Sequence, residues 1–302
     1  MGRGFVVAFA AAVAVLVLGT GAAPAGVLDA GPVATNNTLS TITSLLQKYE
    51  PSSDGSSTTV DPLPFGHTIH VVDRDNKDAW KIDAGPGGAV TFEQNNCGGS
   101  PPLPSGALHL FVAPGDSWAR LRSTRYHRTY LRDLTRLDYW ACDQKNNGQQ
   151  WPYMTLDIDW DGNNTVDDLI FFEPAYQNPL EGGLCGASSN QGPETLNTWQ
   201  FWDGLRKDPS TGSFRACWWS VADPTFQPGD IIRSLSEYIA QHPNAAIVNV
   251  DGNHGGVQIV HGFASPSDTF DGWVDAFTIG KDVNGSNGQT DNSTITYDYQ
   301  AP

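Results

Sequence analysis

An acidic stretch of twelve residues, Asp157 to Asp168, carries the clearest chemical pattern in the chain. Counted from Asp157, side chains that bear oxygen stand at positions 1, 3, 5, 9 and 12, and glycine stands at position 6. That is the ligand spacing of a calcium loop, in which position 7 contributes a backbone oxygen. The predicted ligands of a structural Ca²⁺ ion are Asp157, Asp159, Asp161, Asn163, Thr165 and Asp168.

The flanks of this stretch predict that it forms the turn of a β-hairpin. Apolar runs at 153–156 and 169–172 precede and follow it, and both have the composition of strands. The pattern resembles the loop of dockerin modules, which also place aspartate at the twelfth position, although the flanks of those loops are helical. The alternative is an acidic turn that uses the local hydrogen bonding of Asp and Gly without an ion.

The same aspartates also suggest an enzyme. In a strand, Asp157, Asp159 and Asp161 would project from one face at intervals of about 6.6 to 7 Å. This alternation resembles the catalytic strand of laminarinase-like glycoside hydrolases, whose outer positions are nucleophile and acid/base. Those enzymes use glutamate at both outer positions, whereas this chain has aspartate. Glu173, which follows the next apolar run, is a further candidate for a metal ligand or a general acid.

Tryptophans form the second candidate site. The chain has ten of them, and two aromatic-dense segments hold the four ligand-binding candidates. These are Trp199, Trp202, Trp218 and Trp219. Exposed indole faces stack on the C–H surfaces of sugars, so these residues indicate glycan binding. The alternative is that they pack between two sheets with their N–H groups bonded internally.

Four cysteines predict two disulfides. Cys97, Cys142, Cys185 and Cys217 are not arranged in the Cys-x-x-Cys spacing that is typical of zinc sites. In an exported chain disulfides are the expected use of such residues, and three pairings are possible.

The N-terminus has the features of a secretory signal peptide at 1–25. Arg3 precedes an apolar run from Phe5 to Leu18, and Ala23-Pro24-Ala25 matches a signal-peptidase site. We therefore expect a secreted or cell-envelope protein. No later segment is long and apolar enough to predict a transmembrane span in the mature chain.

The remaining chain divides into a leading segment and one large domain. Residues 26–62 contain a predicted amphipathic helix at 38–49 and a linker rich in Ser, Gly and Thr. Residues 63–302 consist of short β-rich pieces separated by Gly, Pro and Asn, which predict an all-β domain, an antiparallel β-sandwich. One short helix inside it should begin at the capping box Ser234 to Glu237 and end before Pro243.

Three phrases of this domain are similar to secreted sandwich domains. The segment 101–110 resembles a Gly-Ser-Ala-Leu strand, 130–139 resembles the strand that follows it, and 270–280 is similar to the closing strand of laminin-G-like and jelly-roll carbohydrate-binding modules. This resemblance implies a concanavalin-like jelly roll that is often stabilised by calcium and often binds glycans. It transfers no catalytic residue.

Charge narrows the set of partners. The net charge is −16, so no general basic field is present to bind nucleic acid. The sequence thus predicts a secreted, calcium-stabilised β-sandwich with a carbohydrate-binding or adhesive role, whose partner is a polysaccharide or glycan. The alternative is a polysaccharide-cleaving glycoside hydrolase or lyase on the same fold.

Overall fold

A computed structural model describes residues 66–301, apart from 105, 116, 149, 179–188, 227–231, 251–254, 263–267 and 283–291. The predicted signal peptide, the predicted helix at 38–49 and the linker lie outside the described residues.

The described chain is built mainly of strands, with one short α-helix, α1, at Leu235–Gln241. The strands are β1 His67–Val72, β2 Trp80–Ala84, β3 Gly88–Glu93, β4 Ala107–Val112, β5 Trp118–Ser123, β6 Thr129–Tyr130, β7 Leu134–Lys145, β8 Tyr153–Asp159, β9 Asp168–Phe172, β10 Gln200–Asp203, β11 Cys217–Ser220, β12 Arg233–Ser234, β13 Ala246–Ile247, β14 Val257–Gly262, β15 Phe270–Asp282 and β16 Asn292–Tyr299. The short β-rich pieces predicted within 63–302 form strands, but β2, β6 and β12 were not predicted.

Within the described residues the strands form two sheets, which confirms the all-β sandwich. The smaller sheet has seven strands, and its long strand β15 pairs with β4, β7 and β16. The larger sheet has nine strands and contains the order β12-β11-β9-β8-β14-β5-β2. Nearly all pairs are antiparallel, but β1 runs parallel to β16.

The core lies between the sheets because apolar residues alternate along the strands. Leu156 and Ile158 of β8, and Ile170 and Phe172 of β9, are fully buried in it. Val274 of β15 meets them from the smaller sheet. Each such side chain contributes about 1.5 to 3 kcal/mol of transfer free energy, so this alternation determines which side of each strand faces outward.

Two local predictions are confirmed. Ser234 Oγ accepts a hydrogen bond from the Glu237 backbone, and the Glu237 side chain accepts one from the Ser234 backbone, so the capping box forms and α1 ends before Pro243. Cys97 forms a disulfide with Cys142. Cys217 also forms a disulfide, and Cys185 lies outside the described residues. Among the described residues, no helix has the length and apolar character to cross a membrane.

Candidate functional site

The acidic stretch does form a hairpin turn, and Asp159 organises it. Strand β8 ends at Asp159 and β9 begins at Asp168. The Asp159 carboxylate accepts backbone N–H bonds from Asp161 at 3.1 Å, Gly162 at 2.7 Å and Asn164 at 2.8 Å. Burial by itself would raise the pKa of Asp159, but these backbone donors outweigh it and hold the pKa below its ordinary value.

Three carboxylates of the turn converge. Asp159, Asp161 and Asp167 each offer an oxygen, and these oxygens lie within 4.8 Å of one another. Asp161 is exposed, and Asp167 also accepts a hydrogen bond from the Trp160 backbone at 2.7 Å. The twelve-residue spacing assigned Asp167 no ligand role, because position 11 is not a ligand position in that pattern.

Two other predicted ligands, Asn163 and Thr165, bond to each other in the same turn. The Asn163 side-chain oxygen accepts hydrogen bonds from the Thr165 backbone, at 2.7 Å, and from the Thr165 hydroxyl. Both residues are exposed. This pair closes the turn through local side-chain to backbone bonding.

The first and last predicted ligands, Asp157 and Asp168, lie on opposite faces of the larger sheet. The register pairs Ile158 with Asp168, so Asp168 points to the core side together with Ile158, while Asp157 points outward. Asp168 Oδ2 accepts hydrogen bonds from the Ser220 hydroxyl at 2.6 Å and the Tyr238 hydroxyl at 2.7 Å. Its contacts therefore tie β9 to β11 and α1.

Asp157 belongs to a row of polar side chains that crosses the outer face of the larger sheet. It accepts hydrogen bonds from the Gly255 backbone at 2.7 Å and from Gln258 Nε2 at 3.2 Å. Gln258 in turn accepts one from Arg120 at 3.0 Å, and Arg120 donates to Asp83 at 3.1 Å. We call Asp83, Arg120, Gln258 and Asp157 the polar row.

The three aspartates that resemble a glycoside-hydrolase strand do not form a continuous strand face. Strand β8 ends at Asp159, so Asp161 lies beyond it.

An aromatic patch lies beside the polar row on the same outer face. The patch consists of Tyr153, Phe171 and Trp219, flanked by Leu169 and Val260. Phe171 stacks on Trp219 with ring centroids 3.9 Å apart, and Tyr153 stacks on Phe171 at 5.9 Å. Tyr153 and Phe171 are buried, whereas Trp219 remains partly exposed.

Glu173 borders the patch, and its pKa is raised. The Trp219 indole N–H donates to its carboxyl oxygen at 2.8 Å. Burial raises the pKa of Glu173 to about 7, and the bond from Trp219 opposes that rise only in part. Burial, and after it the charge of Glu173, also raises the pKa of Tyr153 well above its ordinary value. A carboxyl group with such a pKa holds or releases a proton near neutral pH.

The other three tryptophan candidates lie elsewhere. Trp202 and Trp218 are fully buried in the core between the sheets, at 0% and 1% exposure, so neither presents an open ring face. Trp199 is half-buried and packs on the cluster that contains the Cys97–Cys142 disulfide. Alternation along β11 explains why Trp218 points inward and Trp219 outward.

The chain was compared with protein families, with curated proteins and with solved structures. No match was found in any of the three comparisons. The likeness to laminin-G-like and dockerin sequences is therefore a resemblance of short segments.

Proposed function

We propose that this protein is an exported carbohydrate-binding β-sandwich whose glycan site is the aromatic patch and polar row on the outer face of the larger sheet. The observation that carries the proposal is the partly exposed Trp219, stacked on Phe171 and placed beside Glu173. The concanavalin-like jelly roll implied by the sequence phrases is compatible with this assignment.

The chemistry of the two features suits a sugar. One ring face of Trp219 lies against Phe171, which holds the indole in a fixed orientation. The C–H surface of a pyranose can pack on the accessible part of this indole ring. The hydroxyl groups of the sugar can then form hydrogen bonds with neighbouring polar atoms. Arg120 and Asp83 are half-buried and supply a donor and an acceptor near the same face. Apolar surface with a few placed polar groups is the usual composition of a small-ligand site.

Retention on immobilised polysaccharides tests the site. Trp219→Ala should weaken binding about thirtyfold, which corresponds to about 2 kcal/mol, the typical loss at an aromatic hot spot. Trp219→Phe should retain part of the affinity. Tyr130→Ala is the matched control, because Tyr130 is also an exposed aromatic residue but lies on β6, away from the patch. Equal retention of wild type and Trp219→Ala, with both folded, contradicts the proposal.

We also propose that the hairpin turn binds a structural Ca²⁺ ion through Asp159, Asp161 and Asp167. Their clustered carboxylate oxygens fit the preference of this ion for hard oxygen ligands. Asp157 and Asp168 contribute instead to the polar row and to the contacts of α1. Removal of calcium should then lower the melting temperature, and Asp161→Asn should reduce that response.

One observation favours polysaccharide cleavage as a second candidate function. Glu173 lies beside the partly exposed Trp219, and burial raises its pKa to about 7, so near neutral pH part of the protein carries a proton that Glu173 could donate to a glycosidic oxygen as the C–O bond breaks. The hydroxyl of a water molecule would then bond to the anomeric carbon, and the remaining proton would restore the acid. This hydrolysis creates one new reducing end for each bond cleaved.

A reducing-end assay across a panel of polysaccharides separates cleavage from binding. Glu173→Gln should abolish at least 99% of turnover, since general acid–base groups contribute about 10² to 10⁴ in rate, and should leave retention measurable. Glu93→Gln is the control, because Glu93 lies on the smaller sheet beside His109. If no polysaccharide that the protein retains gains new reducing ends, the protein binds polysaccharides without cleaving them.

A further inference from the structure

A small pocket lies where the turn between β5 and β6 meets strands β15 and β16. Its volume is about 210 Å³, and its lining combines two cationic side chains, two hydroxyl groups and two isoleucines. The lining residues are Arg125, Tyr126, Ile279, Lys281, Ser293 and Ile295. Apolar surface with a few polar groups is the usual composition of a ligand site, but drug-sized molecules need roughly 300 to 1,000 Å³. The pocket therefore fits a small ligand.

The pairing of β15 with β16 places the lining residues of the smaller sheet. The register sets Ile279 opposite Ile295 and Lys281 opposite Ser293. Ile279 belongs to the core, so alternation along both strands directs all four side chains to the inner face of this sheet. Lys281 and Ser293 are partly exposed, whereas Ile279 is buried. The polar groups thus lie at the open end of the pocket, and Ile279 forms part of its apolar floor.

The pocket is cationic, although the net charge of the chain is −16. Arg125 donates from Nη2 to Asp78 Oδ1 at 2.5 Å, which engages only one of the N–H groups of the guanidinium. In the described part of the chain, no carboxylate forms an ion pair with Lys281. Asp78 offsets one of the two positive charges, and a bound anion would offset the other.

A buried pair of tyrosines supplies a further hydrogen-bond donor. The hydroxyls of Tyr126 and Tyr297 lie 2.7 Å apart, and Tyr126 is 3% exposed. Burial raises the pKa of Tyr297 to about 12 and that of Tyr126 well above its ordinary value, so both hydroxyls keep their protons. Only one of the two O–H groups can donate within the pair. With Tyr297 donating to Tyr126, the Tyr126 hydrogen is left for an acceptor in the pocket that Tyr126 lines.

We infer that this pocket binds a small oxyanion, a carboxylate, sulfate or phosphate group, through Lys281, Arg125, Ser293 and Tyr126. All four residues offer N–H or O–H donors, and hydrogen bonds between charged partners are about twice as strong as neutral ones. The isoleucines would contact the body of a small organic acid. An anion bound there would join the turn after β5 to strands β15 and β16.

This anion site is separate from the proposed glycan site and rests on none of its residues. Lys281 and Ser293 lie on the inner face of the smaller sheet, whereas the aromatic patch and the polar row lie on the outer face of the larger one. Failure of one proposal therefore leaves the other untouched.

Isothermal titration calorimetry with sulfate, phosphate and glucuronate, at an ionic strength fixed with chloride, tests the pocket. We expect one anion to bind per chain. Lys281→Gln should weaken binding about tenfold to hundredfold, the usual contribution of a hydrogen bond to a charged group, and Lys281→Arg should retain most of the affinity. Lys81→Gln is the matched control, because it also removes one positive charge but lies exposed on β2 of the larger sheet.

Two results overturn the inference. If none of the three anions binds to saturation, the pocket holds no oxyanion. If Lys281→Gln and Lys81→Gln weaken binding equally, the anions respond to the overall charge of the protein. Should Lys281→Gln fail to fold by circular dichroism, Ser293→Ala decides, since it keeps the charge and should weaken binding about fivefold.

The three anions also distinguish the source of the bound group. Tighter binding of glucuronate than of sulfate and phosphate identifies a carboxylate on an organic body that contacts the isoleucines. The reverse order identifies a free inorganic anion. Either order supports an oxyanion site when Lys281→Gln removes the binding and Lys81→Gln retains it.

Discussion

At the scale of single residues, position along a strand matters more than residue type. Trp218 and Trp219 are adjacent, yet one is a core residue and the other is part of the candidate glycan site. The sequence motif grouped Asp157 with Asp168, but the hairpin register separates them onto opposite faces. The spacing of a calcium loop does not predict this separation, because the two ends of the stretch belong to paired strands whose register is set by the whole sheet.

Glu173 gives a prediction at this scale, because its pKa in the folded protein, about 7, lies above the ordinary 4.5. The folded state therefore keeps a proton that the unfolded state releases near pH 4.5. The protonated Glu173 therefore contributes its full stabilisation of the folded state below pH 4.5. As the pH rises to 7, this contribution falls by up to about 3 kcal/mol. Glu173→Gln should remove this loss, so its free energy of unfolding should exceed the wild-type value increasingly between these two pH values.

Urea denaturation at several pH values measures the effect, and Glu93→Gln provides a control of opposite sign. Burial would raise the pKa of Glu93, but hydrogen bonds from Thr91 and His109 lower it below the ordinary value. The ionised Glu93 therefore stabilises the folded state above the ordinary pKa of glutamate, and this stabilisation is lost as the pH falls through the lowered pKa of the folded state. If Glu173→Gln and the wild type show the same dependence of unfolding free energy on pH, the pKa of Glu173 is not raised in the folded protein.

At the scale of elements, local signals were sufficient for most strands and for α1. Short β-rich pieces of the sequence, such as those that form β1, β4 and β5, fold as strands, and the capping box of α1 forms as its spacing requires. By contrast, β2 was not predicted, because Trp80-Lys81-Ile82-Asp83-Ala84 mixes charged and apolar residues. It is a strand because it pairs with β5, where Asp83 lies opposite Arg120. Pairing of this kind is a tertiary effect that propensity does not contain.

The Cys97–Cys142 disulfide supports a prediction about how elements are held together. It joins β7 to the chain between β3 and β4 across a separation of 45 residues. In the chain-entropy model a closed loop of that length contributes about 4 kcal/mol. The double variant Cys97→Ala/Cys142→Ala should therefore lose about 4 kcal/mol of its free energy of unfolding and unfold at a lower urea concentration. Circular dichroism should show unchanged strand content, and an unchanged midpoint would mean that packing with Trp273 alone holds these elements.

At the scale of the whole molecule, the topology depends on contacts between distant parts of the chain. The first described strand, β1, lies parallel to the last, β16, with His67 opposite Thr294. The composition of these strands predicted that they exist, but it could not predict that they pair. The cost of closing so long a loop is recovered only when the core between the sheets forms, so strand pairing and core packing should be cooperative.

Tyr297 tests that cooperativity because it contacts both sheets. Its ring lies 5.0 Å from that of Trp80 on β2 and 6.2 Å from that of Phe277 on β15, and its hydroxyl bonds with that of Tyr126 at 2.7 Å. Tyr297→Ala removes a fully buried ring and should cost about 3 to 5 kcal/mol. Tyr297→Phe leaves only the Tyr126 hydroxyl unpaired and should cost about 1 to 3 kcal/mol.

If the two sheets share one core, tryptophan fluorescence and circular dichroism will report a single coincident transition in both variants. Two separate transitions in Tyr297→Ala would instead mean that each sheet unfolds as an independent unit.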